Sequence, residues 1–403
     1  IIMANKNGGF IGTDGLDAPD PPTAVTSTSG NQQLSVAFTA PTDTGTSAIT
    51  GFVAQVASSG DNYSAGSNTG TSSPIVVSSL SNGTSYTAKV WAINAYGTSA
   101  PSDASSGVTP TQPTVGLFGG VDTDTDLIQK INITTTGNTS TFGNLSAARD
   151  QNAGCGSTTR GLFGGGTSDS NVIDYVAFLT DGNATDFGNL REGRNYPASC
   201  SSNTRGVWGG GGDENDQMIK IDYVTISSTG NASDFGSMSQ VDFRQGAALA
   251  SPTRGIFWGG TDGSNRWNVL QYITIGSTGN SVDFGDASNG GVSTHGCLSS
   301  ETRGMKGGGH DTSTYSNYID YVTIASTGNG SDFGNLTQGR REMAAVSSST
   351  RGVFGGGIKS GDARTNVMDY VTIASTGNAT DFGDFSVSGK DYGGCSMDHG
   401  GVQ

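Results

Sequence analysis

The sequence predicts an all-β protein built from a β-sandwich followed by six repeated sheets. Three observations carry this. Of 403 residues, 65 are glycine and only 14% are charged, a composition suited to many tight turns and short strands. From Pro21 to Asn94 apolar and polar residues alternate in short runs, Leu34–Phe38, Ile49–Val56, Ile75–Val77 and Tyr86–Asn94, which is the period-two signature of half-buried strands. From about residue 113 a unit recurs, opened by Arg160-Gly161, Arg205-Gly206, Arg254-Gly255, Arg303-Gly304 and Arg351-Gly352 at glycine spacings of 45, 49, 49 and 48. Such a period signals a propeller or a solenoid.

Taken in order, residues 1–18 are rich in Gly, Asp and Asn without alternation and are expected to form an arm that is flexible or ordered by a partner. Residues 19–110 carry the sandwich. Thr109–Pro113 reads as a short stiff linker, because proline restricts both itself and the residue before it. Residues 113–403 carry the repeats. A second anchor, Gly-Asn followed by Phe-Gly, recurs at Asn138, Asn183, Asn231, Asn280, Asn329 and Asn378, so there are six units. Each is expected to hold four strands, here a to d, as in Glu342–Ser347, Gly352–Gly356, Asp369–Ile373 and Thr380–Gly383. The first unit lacks a strand a, whereas residues 391–403 align with one. The C-terminus is therefore expected to complete the first sheet, leaving no exposed edge.

Two resemblances sharpen this. The proline-rich entry, Ala40-Pro41, the spacing from Leu80 to Tyr86, and Asn94–Gly97 followed by Ser99–Ser102 resemble a fibronectin type III domain, with Phe38 where that family often keeps tryptophan. The repeat, with its early arginine, a strand ending in Gly-Gly, a tyrosine strand and an aromatic closing strand, resembles a kelch blade, with Phe382 and its equivalents where tryptophan is common. Together they imply a type III sandwich followed by a six-bladed kelch-like β-propeller closed by the C-terminal strand.

Charge and cysteine usage narrow the partners. A formal charge of −15 argues against nucleic acid, whose phosphates need clustered Lys and Arg. No apolar run reaches membrane-spanning length, and the first residues carry no apolar segment for export. Cys155, Cys200 and Cys395 lie six residues before a repeat glycine and Cys297 lies seven. All four are expected to be buried free thiols at one position in successive units, too far apart for disulfides.

No catalytic set emerges. Asp-Phe-Gly at Asp186, Asp234, Asp283, Asp332 and Asp381 repeats in each unit without a nucleotide loop; these aspartates are expected to accept hydrogen bonds from turn amides or to pair with the repeated arginines. Arg160, Arg205, Arg254, Arg303 and Arg351 are expected to form a structural ladder with Asp174, Asp222, Asp320 and Asp369, the functional alternative being a ring of ligand-binding arginines. Asp122, Asp124 and Asp126 alternate as in a calcium loop but lack its glycine and distal glutamate, so no metal is assigned. The three histidines, His295, His310 and His399, fall in different units without shared spacing, so neither a zinc triad nor a Ser-His-Asp triad is suggested. Asn183, Asn231, Asn329 and Asn378 fit the glycosylation triplet, yet Gly-Asn is a turn signal in itself.

Antiparallel order puts the uniform a–b and c–d turns on one face and the variable b–c and d–a loops on the other. Variable loops on a rigid scaffold are where binding residues collect. Recognition is expected there, through Arg266, Trp267, Tyr315, Tyr318, Lys359 and Arg364. The combination resembles virion structural proteins of tailed bacteriophages, particularly marine ones. That resemblance implies a non-enzymatic virion-surface fibre or decoration protein without cofactor, anchored by its arm and type III domain, with partners among virion proteins, copies of itself and a host-surface glycan or protein. The alternative is a secreted bacterial glycan-binding protein or carbohydrate-active enzyme.

Overall fold

A computed structural model describes residues 3–4, 10–11, 17–122, 125–212, 218–239, 243–311 and 314–401. The chain forms two compact units, residues 1–113 and 114–403, and all the described regular structure is β. Within the expected arm, Met3–Ala4 pairs with Phe10–Ile11. Asp17 and Ala18, placed in that arm by sequence, instead belong to the sandwich: Ala18 is buried and the Asp17 carbonyl accepts from the Asn94 amide.

The sandwich has one sheet of Thr23–Gly30, Gln33–Thr39 and Ile75–Val77. The other runs Gly66–Gly70, Ile49–Ala57, Thr87–Asn94, Gly97–Thr98. Alternate residues Leu34, Val36, Phe52, Val56 and Val90 point inward, as the pleat requires. Phe38 packs on Phe52 at 4.8 Å between ring centroids. The Tyr86 hydroxyl accepts from the Ser81 amide at 3.1 Å, locking the corner that its spacing from Leu80 suggested. Beyond Thr98 the edge is closed by hydroxyls: Ser99, Ser102 and Ser105 accept from the amides of Ala92, Val90 and Ala88.

Residues 114–403 form six antiparallel sheets of four strands, each in the order a-b-c-d. The second unit is typical, with Ala153–Gly156, Arg160–Gly164, Val172–Ala177 and Thr185–Asn189. In the first, Val115–Val121, Thr125–Asn132 and Ser140–Asn144 are joined by Gly393–Ser396 from the end of the chain, with Leu117 opposite Cys395. The a strands touch their neighbours in sequence order, and the last contact returns from the sixth unit to the first. The b strands are almost wholly buried because both sheet faces are covered, as in Gly161, Leu162, Phe163 and Gly164.

The uniform turns are spent on joining units. The Asn183, Asn231, Asn280, Asn329 and Asn378 side chains each accept an amide from the outer strand of the preceding unit, and Asn138 accepts from Asp384 of the sixth at 3.0 Å. Five of these, Asn138 as well as Asn183, Asn231, Asn329 and Asn378, head a glycosylation triplet.

The arginine ladder is not formed. Arg160, Arg205, Arg254, Arg303 and Arg351 stack over Tyr175, Tyr223, Tyr272, Tyr321 and Tyr370 at 4.4–4.8 Å. Each donates to a carbonyl of the next unit, at Ile226, Ile275, Ile324, Ile373 and Ile133. A guanidinium on an aromatic face keeps its in-plane donors free for such a carbonyl, so tyrosine and the carbonyl take the place of the expected carboxylate. Asp186, Asp234, Asp283, Asp332 and Asp381 stand exposed on the outer strands. Among the described residues only Asp234 of these forms an ion pair, with Arg191 at 2.6 Å.

The cysteines need one correction. Cys155, Cys200 and Cys395 are buried and stand opposite Leu162, Val207 and Leu117, but Cys297 stands opposite Lys306, one step out of register. Leu298 holds the position equivalent to the other three. A single-residue shift turns a side chain to the other sheet face, and Cys297 is accordingly only half-buried.

Candidate functional site

The six a strands surround an axial channel. Before each of them stands one residue with φ between +50° and +60°: Gln151, Tyr196, Gln245, Thr294, Glu342 and Asp391. Non-glycine residues adopt this conformation at a cost of about 1–3 kcal/mol each and hold it only where the surroundings impose it. Here the imposing contacts are amides passed around the opening. Five links are seen, each amide N–H donating to the carbonyl of the preceding unit: Tyr196 to Gln151, Thr294 to Gln245, Glu342 to Thr294, Asp391 to Glu342, and Gln151 to Asp391, at 2.6–3.0 Å. Their side chains line a cavity of 130 Å³.

One side of this opening is strongly charged. Lys390 Nζ lies 2.7 Å from Glu342 and 3.0 Å from Asp391, and Arg341 also pairs with Glu342. Tyr196 donates its hydroxyl to Asp391 at 3.3 Å. Burial, then the Glu342 charge, pushes the Asp391 carboxyl well above the ordinary range. Burial works against the Lys390 charge, but Asp391 and Glu342 outweigh it and raise its pKa to about 12. Such perturbed groups gather where chemistry or binding is done, although ion-pair networks perturb them too.

The variable loops extend this network outward. Arg341 lies over the Tyr315 ring at 5.2 Å and 3.6 Å from Asp362, to which Tyr315 donates its hydroxyl. Tyr315 meets His310 edge-on at 5.2 Å, and Arg266 Nη2 lies 2.8 Å from His310 Nδ1. Of the residues singled out by sequence, Arg266, Trp267 and Tyr315 are therefore half-buried on one side of the opening. Tyr318 is not in the loop: it is the first residue of the strand Tyr318–Thr323, 50% exposed. Lys359 and Arg364 sit on a small hairpin, Ile358–Lys359 with Ala363–Arg364. Arg364 pairs with Asp122 at 2.6 Å. That contact occupies one member of the weak calcium candidate; Asp126 lies on strand c of the first unit, and Asp124 falls outside the described residues, as does the acidic loop at 213–216. Among the described residues no three His, Cys, Asp or Glu side chains converge as metal ligands.

Sequence reading missed the cations that satisfy the buried aspartates. Asp174, Asp222 and Asp369 pair with Arg149, Arg194 and Arg340 at 2.8–2.9 Å, every partner at most 3% exposed. These arginines occupy one place, two residues before the positive-φ position. In the fifth unit that place is Val292, and the cation comes from strand b, with Lys306 at 3.6 Å from Asp320. Where Gln129 or Gln271 replaces the aspartate, the place holds Gly389 or Phe243, and the glutamine accepts from Ser386 and Thr139 or from Ser239 and Ser281 instead. A buried carboxylate without a cation is prohibitive, and comparing the six units position by position would have exposed the rule.

The other end of the channel is covered by residues following strand a of the first unit. His399 Nδ1 accepts from the Gly401 amide at 3.0 Å, so Nε2 carries the proton and faces the Gly156 carbonyl at 3.2 Å and Ser201 Oγ at 3.1 Å. Only glycine fits beside it, since a Cβ on Gly401 would lie 1.8 Å from the Ser201 carbonyl.

Among known families, residues 18–108 match the fibronectin type III domain. No curated protein matches the chain.

Proposed function

We propose that the chain is a non-enzymatic adhesion and structural protein in which the type III domain carries a six-bladed, kelch-like β-propeller closed by its C-terminal strand. The observation that carries this reading is the asymmetry of the two faces. One face spends its uniform Arg-Gly and Gly-Asn turns on bonds between units, whereas on the other Arg266, His310, Tyr315, Arg341, Glu342 and Lys390 from successive units join in one network at the channel mouth. Pre-positioned aromatic and charged groups at a concave opening are what recognition of a polar partner requires. The resemblance to virion structural proteins makes a host-surface glycan or protein, or a neighbouring virion subunit, the partner, and the virion the location.

The test is binding of the full chain to glycan and host-envelope panels, together with co-purification with capsid or tail proteins. Trp267→Ala and Arg341→Ala should each weaken attachment about tenfold or more, in line with anchor residues, while Asp332→Asn on an outer strand leaves it unchanged. Equal binding by all three variants would place recognition elsewhere. One observation favours the alternative of a carbohydrate-active enzyme: the Glu342 and Asp391 carboxylates share Lys390, and Asp391 is held protonated more readily than usual, as a general acid must be. Glycan turnover lost in Glu342→Gln and Asp391→Asn would support that reading.

A further inference from the structure

We propose that His295 and Cys297 form a two-ligand site for a soft, thiophilic d10 cation of the Cu(I) class, reached through the axial channel. The two residues are alternate positions of one extended segment, the strand Gly296–Ser299 and the residue before it, so their side chains leave the same face. Both face the fourth unit: a Cβ placed on Gly259 would lie 3.1 Å from His295 Cε1, and Cys297 packs against the cluster that holds Leu249, Ile256 and Trp258. Both also line the same channel-mouth cavity.

Three features separate this pair from the rest of the molecule. Cys297 is the one cysteine that is not fully buried, and it lines both the mouth cavity and the deeper one. His295 is 4% exposed, yet neither ring nitrogen makes a hydrogen bond of good geometry, although the Trp258 carbonyl lies near enough to favour the charged ring. A buried imidazole lacking partners is costly, and such a group calls for a water, an ion or a ligand.

The donor set selects the ion. Thiolate with imidazole is a soft donor pair, which favours a soft cation over the hard ones that prefer carboxylate oxygens. Zinc would require two more ligands, and among the described residues no three candidate side chains converge. Binding is a simple exchange without redox change: the Cys297 S–H bond breaks, a sulfur–metal bond forms, and one proton leaves through the channel.

The test is anaerobic titration of the full chain with Cu(I) against a chromogenic Cu(I) chelator. One equivalent should be retained with release of one proton, and Cys297→Ser or His295→Gln should each weaken it by more than the roughly 10–100-fold that losing a supporting outer contact costs. Cys200→Ser should leave it unchanged. A measurement on the unaltered chain guards against misfolded variants: Ag(I) should protect a single thiol, Cys297, from alkylation under native conditions. No retained equivalent, retention unaffected by Cys297→Ser, or alkylation of Cys297 undiminished by Ag(I) would each overturn the site.

Discussion

The pairing of Arg340 with Asp369 offers the sharpest check on how the repeat is held together. Both side chains are 0% exposed and 2.8 Å apart, and Arg340 also donates to the carbonyls of Phe354, Gly356 and Val367. Arg340→Met leaves Asp369 buried with the Thr337 hydroxyl at 2.7 Å but no cation. Removing one partner of such a pair costs about 3–5 kcal/mol, or a fall in Tm of roughly 6–10 °C for a unit of this size. The fourth unit shows another solution at the same place, Phe243 with Gln271, whose glutamine accepts from two serines. The double change Arg340→Phe and Asp369→Gln should therefore recover most of the loss, leaving about 1.5 kcal/mol or less from repacking. Urea unfolding followed by tryptophan fluorescence and circular dichroism measures both. A single variant losing under about 1 kcal/mol, or a double variant as unstable as the single one, would falsify the charge rule.

Other outcomes follow from the same contacts. Deleting residues 391–403 uncovers the edge of Val115–Val121 and should abolish cooperative unfolding of residues 114–403 or make the chain insoluble; unchanged melting would show that Gly393–Ser396 does not complete the first sheet. His399 is buried neutral, with its pKa lowered by burial to about 4, whereas the unfolded chain binds that proton near 6.5. Between these values the unfolded state holds more protons, so stability should fall as pH drops from about 6.5 to 4, by up to about 1.4 kcal/mol per pH unit. His399→Gln should flatten that slope, and an identical slope in the variant would locate the titration elsewhere. Alkylation without reductant should count four thiols in denaturant but modify Cys297 first in the native chain; a disulfide, or faster reaction at Cys155, would contradict the register.

Much of the architecture was legible because it repeats. Strand positions followed from the Arg-Gly and Gly-Asn anchors to within about two residues, as when the expected Thr380–Gly383 became Thr380–Asp384. The corner at Tyr86 was implied by the resemblance to a type III domain, to which the spacing of Leu80 and Tyr86 contributed. What the repeated arginines do was not, since sequence shows charge but not which face of a strand a tyrosine covers. Tyr175 and its equivalents stand one residue beyond the aspartates, close enough in sequence to make either partner plausible. The channel mouth was illegible for a different reason. Its six positive-φ positions hold Gln, Tyr, Gln, Thr, Glu and Asp, with no glycine to announce the conformation, so only the amide contacts among units reveal them.

The same limit explains the departure between the fourth and fifth units. In the first, second, third and fifth units strand b ends in a glycine that makes room for an aromatic ring of the next unit: a Cβ on Gly119 would meet Phe163 at 2.8 Å, one on Gly164 would meet Trp208 at 2.7 Å, one on Gly209 would meet Phe257 at 2.7 Å, and one on Gly307 would meet Phe354 at 2.7 Å. In the fourth unit the glycine is replaced by Trp258, and in the fifth the aromatic is replaced by Lys306, both buried. Read within one unit, each is an anomaly. Across the interface a glycine and an aromatic ring have given way to two large buried side chains, Trp258 and Lys306. The exchange also relocates the cation: with Lys306 inside the sheet to meet Asp320, Val292 can stand where three other units keep arginine. The relevant grouping for this chain is thus the interface rather than the unit. It is at this rearranged interface that His295 and Cys297 lie, beside Trp258 and Lys306.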